Sequence, residues 1–218
     1  MKSVLISIQP KWVEKIASGK KTIEVRKTRP KLETPFKCYI YCTNSNGTLF
    51  MAYDGLHYGK DYVGRFDPAC VNGKVIGEFV CNEISNYIEK RGNDFYWTFQ
   101  SSEETKEFFD KTCLRTEQLF EYVGDSNYLY GWHISDLIIY DKPKELSEFI
   151  KPFKYDGDGL RCCTKEELED IYEWDCETLF KNKYPNFDFD NCKCEDCPKA
   201  KDFYRLTRPP QSWCYVKV

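Results

Sequence analysis

Residues 2–31 read KSVLISIQPKWVEKIASGKKTIEVRKTRPK, and the fold turns on how this stretch is parsed. Val4, Ile6 and Ile8 alternate with smaller or polar residues, the period-two signature of a half-buried strand. Pro10 follows at a first helical position, where its missing N–H costs nothing. Trp12, Val13, Ile16 and Ala17 then recur at helical spacing. Gly19 stands where a left-handed helix terminus is expected, and Thr22, Ile23 and Val25 restore β-propensity. The unit is therefore strand, helix, turn, strand. Lys20, Lys21, Glu24, Arg26, Lys27, Arg29 and Lys31 crowd ionisable groups at one end of it.

Beyond this unit, residues 36–43 (FKCYIYCT) and 74–84 (KVIGEFVCNEI) predict strands, and Gly77 within the second predicts a bulge or a close backbone approach. Residues 49–73 read as a long glycine- and aromatic-bearing loop, with a short strand near Leu49–Tyr53. Phe95–Phe99 is a strand or an aromatic plug. Ser101 or Ser102 caps a helix, and Thr116 opens a second one that closes at Gly124. Residues 128–141 predict a long strand ending before Pro143, then a turn and a short helix. Residues 152–205 change character: they are helical, acidic and Cys-rich, and read as an insertion before a closing strand in 206–218.

The net charge is −3, which excludes a uniformly basic nucleic-acid-coating protein. Residues 1–37 nevertheless hold ten Lys/Arg against three Glu, so a basic face is set against an acidic remainder; the plainer reading is a solvated lysine-rich edge. No signal-peptide pattern and no membrane-length apolar run occurs, so a cytoplasmic location without membrane association is expected. In a reducing compartment the 12 cysteines point to metal or free thiols rather than disulfides. Cys192, Cys194 and Cys197 form C-x-C-x-x-C, and with one upstream cysteine, Cys163 (or Cys162 or Cys176), they would make a four-thiolate structural zinc site. The alternative is a set of reduced thiols.

The spacing G-x-K-x-x-x-x-R, carried by Gly19, Lys21 and Arg26, resembles the motif of the ASCH domain, a member of the PUA-like superfamily. So do SIQPKWVEKIASG before it and PFKCYIYCT and GKVIGEFVCNEI after it, and the resemblance extends over most of residues 1–141. It implies an α+β fold, a PUA-like small β-barrel with flanking helices over 1–151, here of a phage or bacterial type with the Cys-rich insertion at 152–205. It also implies a cleft for RNA or a modified base. Defined members of the family include an amidohydrolase of acetylated cytidine and an RNase-like protein. The amidohydrolase set of lysine, threonine three residues later and distant glutamate places its lysine at Lys21. The threonine position is Glu24 here.

On this reading Lys21 and Glu24 are the candidate catalytic pair, for a hydrolysis. Lysines and arginines around Lys21 are expected to lower its pKa through like charge. Lys11, beside the helix N-terminus, is a candidate phosphate contact. Arg26 clamps a phosphate or carboxylate, and Glu24 accepts from an exocyclic amine. Trp12 stacks on a base. Plainer alternatives are a surface lysine, a strand ion pair and a core-packing tryptophan. His57 is expected to overhang the cleft, and His133 to be a satisfied strand residue. The contrasting function is a protein–protein interaction module working through the Cys-rich insertion.

Overall fold

The computed structural model describes residues 3–45, 47–59, 69–91, 94–150 and 205–216. The chain divides into two compact units, Met1–Leu146 with Arg208–Val216, and Ser147–Thr207 with Lys217–Val218. The insertion expected at 152–205, with Cys163, Cys192, Cys194 and Cys197, lies outside the described residues apart from Arg205. In the second unit Phe149 and Leu206 are buried, and Leu206 N–H donates to Phe149 O at 2.8 Å beside an Ile150–Arg205 bridge.

The first unit opens as its sequence predicts, with β1 (Ser3–Ile8), α1 (Pro10–Ala17) and β2 (Ile23–Arg26). β3 (Phe36–Cys42) follows, and then a hairpin of β4 (Thr48–Ala52) and β5 (Gly55–Gly59) with β6 (Ala69–Cys70) beside it. β4 is the short strand expected near Leu49–Tyr53, while β5 and β6 correct the expectation of a loop over the rest of 49–73. β7 (Val75–Arg91) and β9 (Tyr128–Lys144) are 17 residues each, longer than the sequence suggests. β8 (Asp94–Trp97), α2 (Ser102–Thr112) and α3 (Thr116–Val123) lie between them. Ser101 caps α2, its Oγ accepting from Glu104 N–H at 3.1 Å. β10 (Trp213–Val216) closes the order.

The large sheet runs β10-β1-β3-β7-β9-β2, with β8 on β7. Among the described residues only the β1–β3 pair of this sheet is parallel. The expected closed barrel is not formed among the described residues, because no ladder joins β10 to β2. Side chains and loop groups cross that gap instead. Arg26 donates to Ser7 O at 2.6 Å, Trp213 Nε1 to Thr28 Oγ1 at 3.0 Å, and Lys31 N–H to Tyr215 Oη at 2.8 Å.

Two apolar clusters hold the unit. One joins α1 to the sheet through Val4, Ile6, Val13, Ile16, Ile40, Phe79 and Trp132. The other places α2 and α3 on the opposite face of β2 through Val25, Phe108, Leu119, Val123 and Leu129. Alternation along β2 explains the split: Ile23 and Val25 face one way, Glu24 and Arg26 the other. No helix among the described residues is long and apolar enough to cross a membrane.

Candidate functional site

The turn after α1 carries Lys21 into the interior. Ser18 caps the helix, and Gly19 adopts φ +72°, a left-handed conformation that a side chain would strain. Gly19 N–H donates to Ile16 O and Lys21 N–H to Lys15 O, both at 2.9 Å. The chain is thereby folded back onto the C-terminus of α2. There Thr22 N–H caps Lys111 O at 2.9 Å, and Lys21 Nζ donates to Thr112 O at 2.9 Å. A cation belongs at this negative end of the helix dipole.

Lys21 is only 2% exposed. Its Nζ also donates to Ile23 O at 2.8 Å and lies 3.3 Å from Glu24 Oε2. Three acceptors thus meet the three protons of an ammonium. Burial opposes them and prevails, so the Lys21 pKa lies below the ordinary value of 10.5. The direction is the expected one, but the cause is not. Desolvation is the largest influence, while like charge from Arg26 is the smallest of those acting.

Glu24 continues the chain of charges. Its Oε1 lies 3.0 Å from Arg26 Nη2, and both residues are buried. Arg26 Nη2 donates to Ser7 O, while Arg26 Nε is buried with no hydrogen-bond partner among the described residues. The Tyr122 phenol lies against Arg26, and burial raises its pKa.

This charged row forms the floor of a pocket of about 540 Å³, within the range of roughly 300–1,000 Å³ usual for small-molecule sites. α1 supplies Lys11 and Trp12 on one side. α3 supplies Gln118, Glu121 and Tyr122 on the other. The Trp12 indole has three ammonium groups near its ring, Lys11 Nζ at 4.6 Å and Lys15 and Lys21 Nζ at 5.4 Å from the centroid.

The structure thus brings Lys11, Trp12, Lys21, Glu24 and Arg26 to one pocket. The two histidines lie elsewhere. His57 is on β5, 2.8 Å from Asp54, and does not line the pocket. His133 on β9 faces Ser85 Oγ at 3.0 Å and Tyr87 Oη at 3.2 Å, in a separate cavity. Thr22, the hydroxyl nearest in sequence to Glu24, does not line the pocket either. Among the described residues no group of three or more His, Cys, Asp and Glu is placed to hold a metal ion.

Sequence reasoning missed the α3 wall. Gln118, Glu121 and Tyr122 share a helix face by i, i+3 and i+4 spacing. That face is legible in the sequence, but the element it meets is not.

The α+β fold, with Arg26 reaching from β2 to β1, is consistent with the PUA-like superfamily. Within that superfamily the chain belongs to the ASCH domain family, whose profile matches residues 6–144. Among solved structures it is similar to ASCH from Zymomonas mobilis, at 16% identity and a TM-score of 0.44, covering 99% of this chain and 87% of that one. Two single-residue mutants of that protein align at TM-scores of 0.47 and 0.46, with 16% and 15% identity. They cover 100% and 99% of this chain and 91% and 88% of theirs. No curated protein matches the chain in sequence.

Proposed function

We propose that the protein binds RNA, or a modified nucleoside, with one base held in the pocket between α1 and α3. The observation that carries this is the pairing of a partly exposed indole, Trp12, with a buried Lys21–Glu24–Arg26 row in a single pocket. The ring offers a stacking surface, the glutamate an acceptor for an exocyclic amine, and Lys11, Lys27 and Arg26 positive charge for phosphate. Membership of the ASCH domain family, which is associated with RNA binding, supports the same reading.

A second reading, hydrolysis, draws on the lowered pKa of Lys21 beside a carboxylate. Glu24 takes a proton from an attacking water. The scissile C–N bond breaks, and Lys21 supplies the proton that the leaving amine needs. With no threonine at position 24 and Thr22 outside the pocket, water attacks directly and no acyl-enzyme forms.

Titration of nucleosides and short RNAs, acetylcytidine included, tests both. Trp12→Ala should lose roughly 1–3 kcal/mol of binding, and unchanged affinity would overturn the base-binding reading. Mass spectrometry of the same mixtures should show product with the wild type and none with Glu24→Gln. No product from any substrate removes the hydrolytic reading and leaves a binding protein.

A further inference from the structure

Among the described residues β2 is the last strand of its sheet, so one of its edges has no strand partner there. The register identifies the main-chain groups on that edge. Ile134 N–H donates to Thr22 O at 2.9 Å, and Ile23 stands opposite His133. Bonded and non-bonded pairs alternate along an antiparallel ladder. Glu24 and Arg26 therefore direct their main-chain groups at β9, as Thr22 does its carbonyl, while Thr22 N–H goes to Lys111 O. Ile23, Val25 and Lys27 turn theirs to the open edge.

The neighbours of Val25 on that edge are engaged. Ile23 O accepts from Lys21 Nζ, and Lys27 N–H is directed at the Tyr122 phenol. By the same alternation the Val25 N–H and C=O fall outside the β2–β9 ladder, and none of the turn, loop and cap hydrogen bonds among the described residues involves them. Its side chain is buried with Leu119 and Val123 in the second cluster, yet Val25 lines the pocket. With that side chain packed in the cluster, we take the part of Val25 that meets the pocket to be its peptide edge, a donor and an acceptor side by side. One free residue is too short a segment for strand addition, which needs several main-chain pairs in succession. It is the right extent for one planar base.

We infer that the Val25 main chain reads the Watson–Crick edge of the bound base: its N–H donates to a ring or carbonyl acceptor, and its C=O accepts from the adjacent N–H. This rests on the base-binding reading above and narrows it. A base read through that edge cannot be paired, so the partner is a free nucleotide or a single strand, never a duplex. A substituent on pyrimidine N3 blocks recognition.

The test is equilibrium binding of cytidine and 3-methylcytidine, and of uridine and 3-methyluridine, to the full chain and to two variants. Val25→Pro deletes the N–H, and proline is tolerated on an edge strand where that group lies outside the ladder. Val25→Ala trims the same side chain but keeps the N–H. The parent nucleosides should bind roughly tenfold more tightly than their N3-methyl forms, the loss expected for one buried hydrogen bond. Val25→Pro should weaken binding by a similar factor relative to Val25→Ala. Equal affinity for parent and methylated nucleosides overturns the inference and leaves base binding standing. Binding of none of the four overturns both. Where Val25→Pro fails to fold, as judged by its melting curve, the methylated pair decides alone.

Discussion

A buried lysine is costly unless its protons are taken up, and Lys21 shows how that cost is met. Two carbonyls and a carboxylate surround Nζ, one of them at the end of α2, where the helix dipole favours a cation. Removing the ammonium leaves Ile23 O and Thr112 O without their donor and Glu24 with Arg26 alone. Lys21→Met should therefore lose roughly 3–5 kcal/mol of stability, as when one partner of a buried ionic group is deleted. The pH dependence follows from the lowered pKa. Between that lowered value and 10.5 the unfolded chain holds a proton on Lys21 that the folded chain has released. Stability must then rise with pH through this window, and below it the full burial penalty applies. Tyrosine and cysteine titrations overlap the same range, so the quantity to measure is the difference between wild type and Lys21→Met in urea unfolding. That difference should shift in favour of the wild type as pH approaches 10.5. A shift the other way would mean that the acceptors outweigh burial.

The long strands β7 and β9 set the frame on which that residue network is hung, and their pairing is not regular. The register shifts four times along it, the first between Val75 and Gly77. At Gly77 an added Cβ would collide with the Ile138 carbonyl, a backbone atom that cannot swing aside. Gly77→Ala should accordingly cost about 1–3 kcal/mol, read as a lower urea midpoint; an unchanged midpoint would show that the strands can part there. Gly77 was legible in the sequence as a bulge or close approach, as were Pro10, the Gly19 turn and the alternation of Glu24 with Val25. Each is a local rule with a local signature. The misreadings share a different origin. Pro143 suggested that its strand had ended, yet β9 runs on to Lys144, because Pro143 has no ladder partner across the first register shift. The two-residue turn Tyr53-Asp54 before Gly55 joins β4 to β5, in a stretch whose aromatic richness masks its alternation. The α3 wall of the pocket, Gln118 to Tyr122, lies about a hundred residues from Lys21, and nothing in one sequence specifies which helix face meets which strand edge. At position 24 the sequence shows a departure from the amidohydrolase pattern and a strand ion pair with Arg26, but not the second cation, Lys21, on the same carboxylate.

For the molecule as a whole the question is whether the pocket takes a nucleoside alone or one base of a strand, and charge decides it. The chain carries −3 overall, so nothing but a local field can hold a polyanion. That field exists beside the pocket, where Lys27 and Arg29 are exposed and Lys11 stands at the rim. Lys27 Nζ lies 5.3 Å from the Tyr122 ring, and the Arg29 guanidinium lies 5.7 Å from the Tyr130 ring, which is itself stacked with Tyr128 at 5.9 Å. Cations interleaved with rings are how single-stranded nucleic acid is followed without regard to sequence. A strand touching Lys11, Lys27 and Arg29 through phosphates should bind with a slope of log K against log salt of about −2, since each single-strand phosphate contact contributes roughly −0.7. A nucleoside has no phosphate, and its affinity should be flat over the same range. Lys27→Ala and Arg29→Ala should each remove roughly 0.7 from the strand's slope, and Arg29→Ala should leave nucleoside affinity unchanged, because Arg29 does not line the pocket. A strand whose affinity is as indifferent to salt as that of the nucleoside would mean that these cations hold no backbone, and that the pocket serves a free nucleoside.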